Sequence, residues 1–118
     1  MKEFMLFIRS EVQDKENLSP EQLQKHVENI GKYIKELVDE GKMKSAQPLE
    51  SEGRVLSSQN GKVVDGPFIE TKEVISGYYH LVAKDLEEAI AIAKKDPRFD
   101  EGIWTVEIRP IKTVQGIN

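Results

Sequence analysis

The chain has 118 residues, 38% of them hydrophobic and 32% charged, with a formal net charge of -4. That length supports one domain with one core, spanning 1–118, and the acidic balance excludes a broad electrostatic footprint for nucleic acid. Cysteine is absent, which removes disulfide frameworks, thiol nucleophiles and Cys-rich zinc sites and is compatible with a reducing compartment.

The opening "MKEFMLFIRS" breaks at Arg9, too early for a signal-peptide core or for the roughly 20 apolar residues of a membrane span. It reads as a strand, and the expected location is cytoplasmic. Phe4, Leu6 and Ile8 alternate with Met5, Phe7 and Arg9, so the strand has two mainly apolar faces and belongs in the middle of a sheet. Ser19, Pro20 and Gln22 then form a capping-box pattern that starts a helix. Its apolar stripe is Leu23, Val27, Ile30, Ile34, Leu37 and Val38, with Gly31 a weak point and Gly41 at the C-terminal cap.

"KMKSAQPLE" predicts a weak strand, and "GRVLSSQNGKVVDG" a stronger one that extends into a hairpin, with Asn60-Gly61 suited to a type I′ turn. "EVISGYYHLVA" follows as another strand. Asp85 and Glu88 repeat the capping logic before a short helix with Leu86, Ala89, Ile90 and Ala93 as its stripe, ended by "KKDP"; "GIWTVEIRPI" is the last strand. This order is the split β-α-β pattern of ferredoxin-like folds: α+β, βαββαβ, with an added hairpin.

Two helices cover only one face of a four-stranded antiparallel sheet. Alternation sets Phe4, Leu6, Ile8, Ile75, Tyr79, Leu81, Trp104, Val106 and Ile108 toward the helices. The opposite face then carries Met5, Phe7, Arg9, Ser76, Tyr78, His80, Thr105, Glu107 and Arg109. A surface of that mixed character suits a sheet-to-sheet homodimer enclosing a partly polar cavity; the alternative is a half-exposed sheet.

Within "DGPFIETKEVISGYY", Asp65-Gly66-Pro67 is a turn, Phe68 an anchor for it, and Glu70, Lys72 and Glu73 a charged run into the next strand. This stretch, together with "FMLFIR", the helix bearing His26, "ELVDEGKM", "DLEEAIAIAKKDP" and the closing "VEIRPI", resembles the YCII-related proteins, in their DGPF-domain branch. The resemblance covers nearly the whole chain. It implies a dimeric α+β barrel of ferredoxin-like subunits in a family mostly of unknown function. Some relatives are linked to a His-Asp pair in a proposed active site, and one branch includes a dehydrochlorinase. The histidine of that pair corresponds to His26; its acidic partner is expected at Asp65, with Glu70 next.

On the helix, His26 and Tyr33 lie at the border of the apolar stripe, where a side chain can line a cleft or simply seal the helix against the sheet. A neutral imidazole, with its ordinary pKa of about 6.5, serves as a general base near neutral pH when a carboxylate stands beside it. Arg9, Tyr78, His80 and Arg109 would offer donors to a small organic acid, with Lys72 and Glu73 at the rim; the alternative is a cross-strand network in a dimer interface. His26 and His80 have no metal-ligand spacing, and no phosphate-binding, dinucleotide-binding, nucleophile-elbow or zincin motif is present, so neither metal nor cofactor is expected. The aromatics of "YYHL" lack the basic flank of an RNA-binding sheet.

Two functions follow. One is a small cofactor-independent enzyme of lyase or isomerase type, moving a proton on an organic-acid or aromatic ligand with His26 and an acid in a dimer cavity. The other is a non-catalytic ligand-binding or dimerisation module, in which Lys72 pairs with Glu70 or Glu73.

Overall fold

The computed structural model describes residues 1–11, 17–66 and 73–118, with Glu73 represented by its backbone. The expectations placed on Phe68, Glu70, Lys72 and the Glu73 side chain therefore fall outside the described residues.

The capping box forms as the sequence predicts. Ser19 accepts from the Gln22 backbone N–H and the Gln22 side chain accepts from the Ser19 N–H, opening helix α1, Pro20–Asp39. At its other end Gly41, with φ 72°, lets the N–H groups of Gly41 and Lys42 reach back to the carbonyls of Val38 and Leu37. That is a Schellman closure, and it turns the chain directly into the next strand.

The strands are β1 (Lys2–Glu11), β2 (Met43–Pro48), β3 (Leu56–Gln59), β4 (Lys62–Asp65), β5 (Glu73–Ala83) and β6 (Trp104–Pro110), with helix α2 at Leu86–Lys94 and a 3-10 turn at Pro97–Glu101. The main sheet has the order β2-β5-β1-β6 and is antiparallel throughout, while β3 and β4 make a separate hairpin. This is the ferredoxin-like α+β arrangement with a hairpin between its second and third core strands. Asn60 and Gly61 both have positive φ, 51° and 77°, as a type I′ turn requires.

The core lies between the helices and one sheet face. Phe4, Leu6, Ile8 and Leu81 are almost fully buried there, packed in a cluster with Tyr33, Leu37, Ala89, Ile92 and Trp104. Burial of this kind stabilises by about 1.5–3 kcal/mol per large side chain.

Three expectations are corrected by the packing. In β5 the register against β1 slips between Ile8 and Arg9: Ile8 pairs with Gly77 and Arg9 with Ile75, leaving Ser76 as the extra residue of a bulge. Ser76 is therefore buried on the helix side, sharing a hydrogen bond of 2.9 Å with Ser10, while Ile75 joins Arg9 on the open face at 38% exposure. In α1 the buried line runs through Ile30, Tyr33 and Leu37, whereas Leu23, Val27 and Val38 stay more than half exposed. Likewise α2 buries Ile92 with Ala89 and Ala93 and leaves Leu86 at the surface.

Candidate active site

The buried line of α1 extends back from Tyr33 and Ile30 to His26, since residues four and seven apart share a helix face. His26 is thus carried toward the sheet, with its side chain only 13% exposed. What it meets comes from the connection between α2 and β6. Asp96 caps the 3-10 turn by accepting from the Arg98 backbone N–H at 2.9 Å, and Pro97 fixes the first turn position. The turn ends at Glu101, and Gly102, with φ 75°, reverses the chain so that Trp104 starts β6 on the helix side.

Glu101 is held from two directions. Both of its carboxylate oxygens lie 2.6 Å from His26 Nδ1, and Trp104 Nε1 donates to Oε1 at 2.9 Å. The His26 and Trp104 rings are stacked, with centroids 5.4 Å apart and planes at 17°. A carboxylate offers only acceptors, so Nδ1 carries a proton, and in the neutral ring the lone pair is then on Nε2. Nε2 has no hydrogen-bond partner among the described residues.

Beside this pair sits a second charged group. Arg98 Nη1 donates to the Tyr79 hydroxyl and lies 3.4 Å from Asp96 Oδ2, and its guanidinium carbon is 5.4 Å from the centroids of both Tyr79 and Trp104. Burial holds the Tyr79 phenol well above the ordinary tyrosine range, with Asp96 adding to the rise and Arg98 opposing it. Tyr33, whose hydroxyl donates to the Ile92 carbonyl at 2.7 Å, is raised by burial first and by Asp96 next. Both phenols are therefore neutral donors at working pH.

His26 lines two hollows. One is a polar cleft of about 430 Å³ edged by Gln22, Lys25, Asn29, Asp100 and Glu101. The other is a mainly apolar cavity of about 270 Å³ under α1, where Ile8, Ile30, Ile34 and Ala46 meet Tyr79 and Arg98. A cavity of that volume and lining has room for a single-ring ligand.

The sequence-predicted residues divide between two faces. His26 belongs to the helix side, whereas Arg9, Tyr78, His80 and Arg109 stand on the opposite sheet face, in register with Met5, Phe7, Thr105 and Glu107. The expected single chamber holding His26 together with these residues is thus replaced by two separate surfaces. On the open face Arg9 pairs with Glu107 at 2.9 Å, Arg109 approaches the same carboxylate at 3.9 Å, and Glu3 binds both Lys44 and His80, at 2.6 and 2.9 Å. The acidic partner is corrected too: Glu101 occupies His26, while Asp65, at the end of β4, faces Arg54 at 3.4 Å. Glu101, Arg98 and Asp96 went unread as site residues. Their signal was "DPRFDEG", a run of charge closed by Pro and Gly that is too dense for a plain connection. Among the described residues no three His, Asp or Glu side chains converge as metal ligands, and no helix is long and apolar enough to cross a membrane.

A ferredoxin-like sheet with a histidine–carboxylate pair between its helix and its face defines the class. Residues 4–114 match the model of the YCII-related domain, and the chain belongs to that family. A search of curated proteins gave no match. Among solved structures the chain is similar to the 5-chloro-2-hydroxyhydroquinone dehydrochlorinase TftG of Burkholderia phenoliruptrix in complex with 2,5-dihydroxybenzoquinone. The two share 16% identity over 96% of each chain, with a TM-score of 0.50.

Proposed function

We propose that this protein is a cofactor-independent proton-transfer enzyme of lyase or isomerase type, acting on a small planar ring held in the cavity beside His26. The observation that carries this reading is the Glu101–His26 contact at the wall of an apolar hollow. Glu101 fixes the imidazole with Nδ1 protonated, which leaves Nε2 as the base. Nε2 takes a proton from an acidic position of the ring, and the adjacent carboxylate offsets the charge of the resulting imidazolium. Return of that proton at another position gives isomerisation; departure of an anionic leaving group from the ring gives elimination. The dehydrochlorinase and the hydroxyquinone named for the structural neighbour are chemistry of this kind.

The test uses 5-chloro-2-hydroxyhydroquinone and its chlorine-free parent in D2O, with NMR following ring deuteration and an electrode following chloride. His26-dependent deuteration or chloride release is expected, with His26→Gln at the buffer rate. A wild-type protein that binds these rings yet matches buffer would remove the reading.

We also propose that the open sheet face joins a second copy. Met5, Phe7 and Tyr78 are half-buried neighbours on that face, surrounded by the Arg9–Glu107 and Glu3–Lys44 pairs, a composition suited to an isologous interface. The site on the helix side then lies within each subunit.

A further inference from the structure

The geometry points to Arg98 as the anchor for an anionic oxygen on the ring, so that the ligand class is an aromatic carboxylate or an ionised phenol; this rests on the cavity beside His26 being the substrate site. Arg98 is the guanidinium on the lining of that mainly apolar hollow. Its side chain is only 11% exposed, and its hydrogen bonds to the described residues all run through Nη1, to Tyr79 and Asp96. Nε is buried with no partner among the described residues, and none is found for Nη2. Guanidinium donors are normally matched by acceptors; Nε is enclosed by protein, so Nη2 is the donor left to receive one oxygen of a carboxylate or a phenolate.

Asp96, itself 3% exposed, balances the charge of Arg98, but it meets the guanidinium only at Nη1, at 3.4 Å, and its Oδ1 accepts from the Arg98 backbone N–H, so Nη2 is left without an acceptor among the described residues. Tyr79 adds no second negative charge, because burial keeps its phenol protonated. The flat ring of Tyr79, on the same lining and near the guanidinium, adds a surface for an aromatic ring to pack on. An anion seated at Arg98 would place the ring between this anchor and His26, with the base at one end and the charge at the other.

Calorimetry with 2,5-dihydroxybenzoate and 2,5-dihydroxybenzamide tests the anchor, since the two differ in charge and scarcely in shape. The acid should bind the wild type at least about tenfold more tightly than the amide, as expected for a charge-assisted pair. Arg98→Met should abolish that preference while leaving amide affinity within about threefold, and Arg98→Lys should keep part of it. Because Arg98→Met strands the Asp96 carboxylate, Asp96→Asn/Arg98→Met is measured beside it, with circular dichroism to establish folding. Equal binding of acid and amide by the wild type, binding of neither, or a preference that survives in the folded methionine variants would overturn the assignment. His26→Gln should retain the preference. If preference holds but no proton exchange is found, the enzyme reading fails alone; if exchange holds without preference, the anchor fails alone.

Discussion

Glu101 sets both carboxylate oxygens 2.6 Å from Nδ1 of His26, although 75 positions separate the two in the chain. The contact fixes which ring nitrogen is protonated, and it is braced by the Trp104 indole at 2.9 Å. Glu101→Gln keeps the volume but can present an N–H to the imidazole, favouring the tautomer with the proton on Nε2. Proton transfer to a ring substrate should fall about 100-fold or more. Circular dichroism should remain unchanged. Rates of ring deuteration measured side by side check this, and an undiminished rate would show that Glu101 does not orient the base.

The strands, both helices and the hairpin turn were legible because each is written locally: the Ser19 capping box, the Gly41 reversal, the Asn60-Gly61 turn. Helix rotation was not. Hydropathy alone favours Leu23 and Val27, yet the helix turns Tyr33 inward, where its hydroxyl reaches the Ile92 carbonyl, and carries His26 with it. Polar partners supplied by distant segments decided the rotation. The bulge at Ser76 was hidden for a similar reason, since alternation has no signal for one inserted residue, although Gly77 beside it marks a close approach of β2. Glu101 was overlooked because its role exists only once the 3-10 turn folds back on α1.

Two glycines should respond to alanine in opposite directions. A Cβ on Gly77 would stand 2.8 Å from the Gln47 carbonyl oxygen, so backbone must move, and Gly77→Ala should cost about 1–3 kcal/mol. Gly31 lies inside α1 with open space around the added carbon, so Gly31→Ala should stabilise by about 0.5–1 kcal/mol. Urea unfolding of the pair gives both signs. A harmless Gly77→Ala would mean that the β2–β5 contact is looser than described.

On the open face, Lys44 and then His80 hold the Glu3 carboxyl below its ordinary value of 4.5 through hydrogen bonds. A depressed carboxylate contributes stability above its unfolded pKa and loses it as pH falls through the lower folded value. Glu3→Gln should therefore be slightly less stable than the wild type at neutral pH, and the two should converge below pH 4.5. Melting temperatures across pH 3–7 would reveal a constant gap if the carboxylate were uninvolved.

For assembly, Phe7 is the informative position: it pairs across the sheet with Tyr78 on one side and Glu107 on the other, at the centre of the open face. Phe7→Glu should convert a sedimenting dimer to monomer by placing like charges opposite each other across the twofold axis. Binding of 2,5-dihydroxybenzoate should persist, because the cavity is on the other side of the sheet. A wild-type protein that sediments as a monomer at every concentration would refute the dimer.

Tyr33 and Tyr79 together predict the alkaline limit. Burial is the leading cause in both, and it raises each phenol above its ordinary pKa of 10.0. An acid that keeps its proton better folded than unfolded contributes stability below the unfolded pKa and loses it as pH climbs, since above that point the unfolded chain binds fewer protons. With both phenols shifted, stability should decline above pH 10 with a slope approaching about 2.7 kcal/mol per pH unit, two protons' worth. In Tyr33→Phe the slope should halve, and the variant should also lose about 1 kcal/mol at neutral pH with the Tyr33–Ile92 hydrogen bond. Denaturant midpoints followed from pH 8 to 11.5, with phenolate absorbance recorded alongside, measure both. Phenolate from more than one of the three tyrosines well before unfolding would show that Tyr33 or Tyr79 is open to water, and its persistence in Tyr33→Phe would assign it to Tyr79, on the wall of the cavity beside His26.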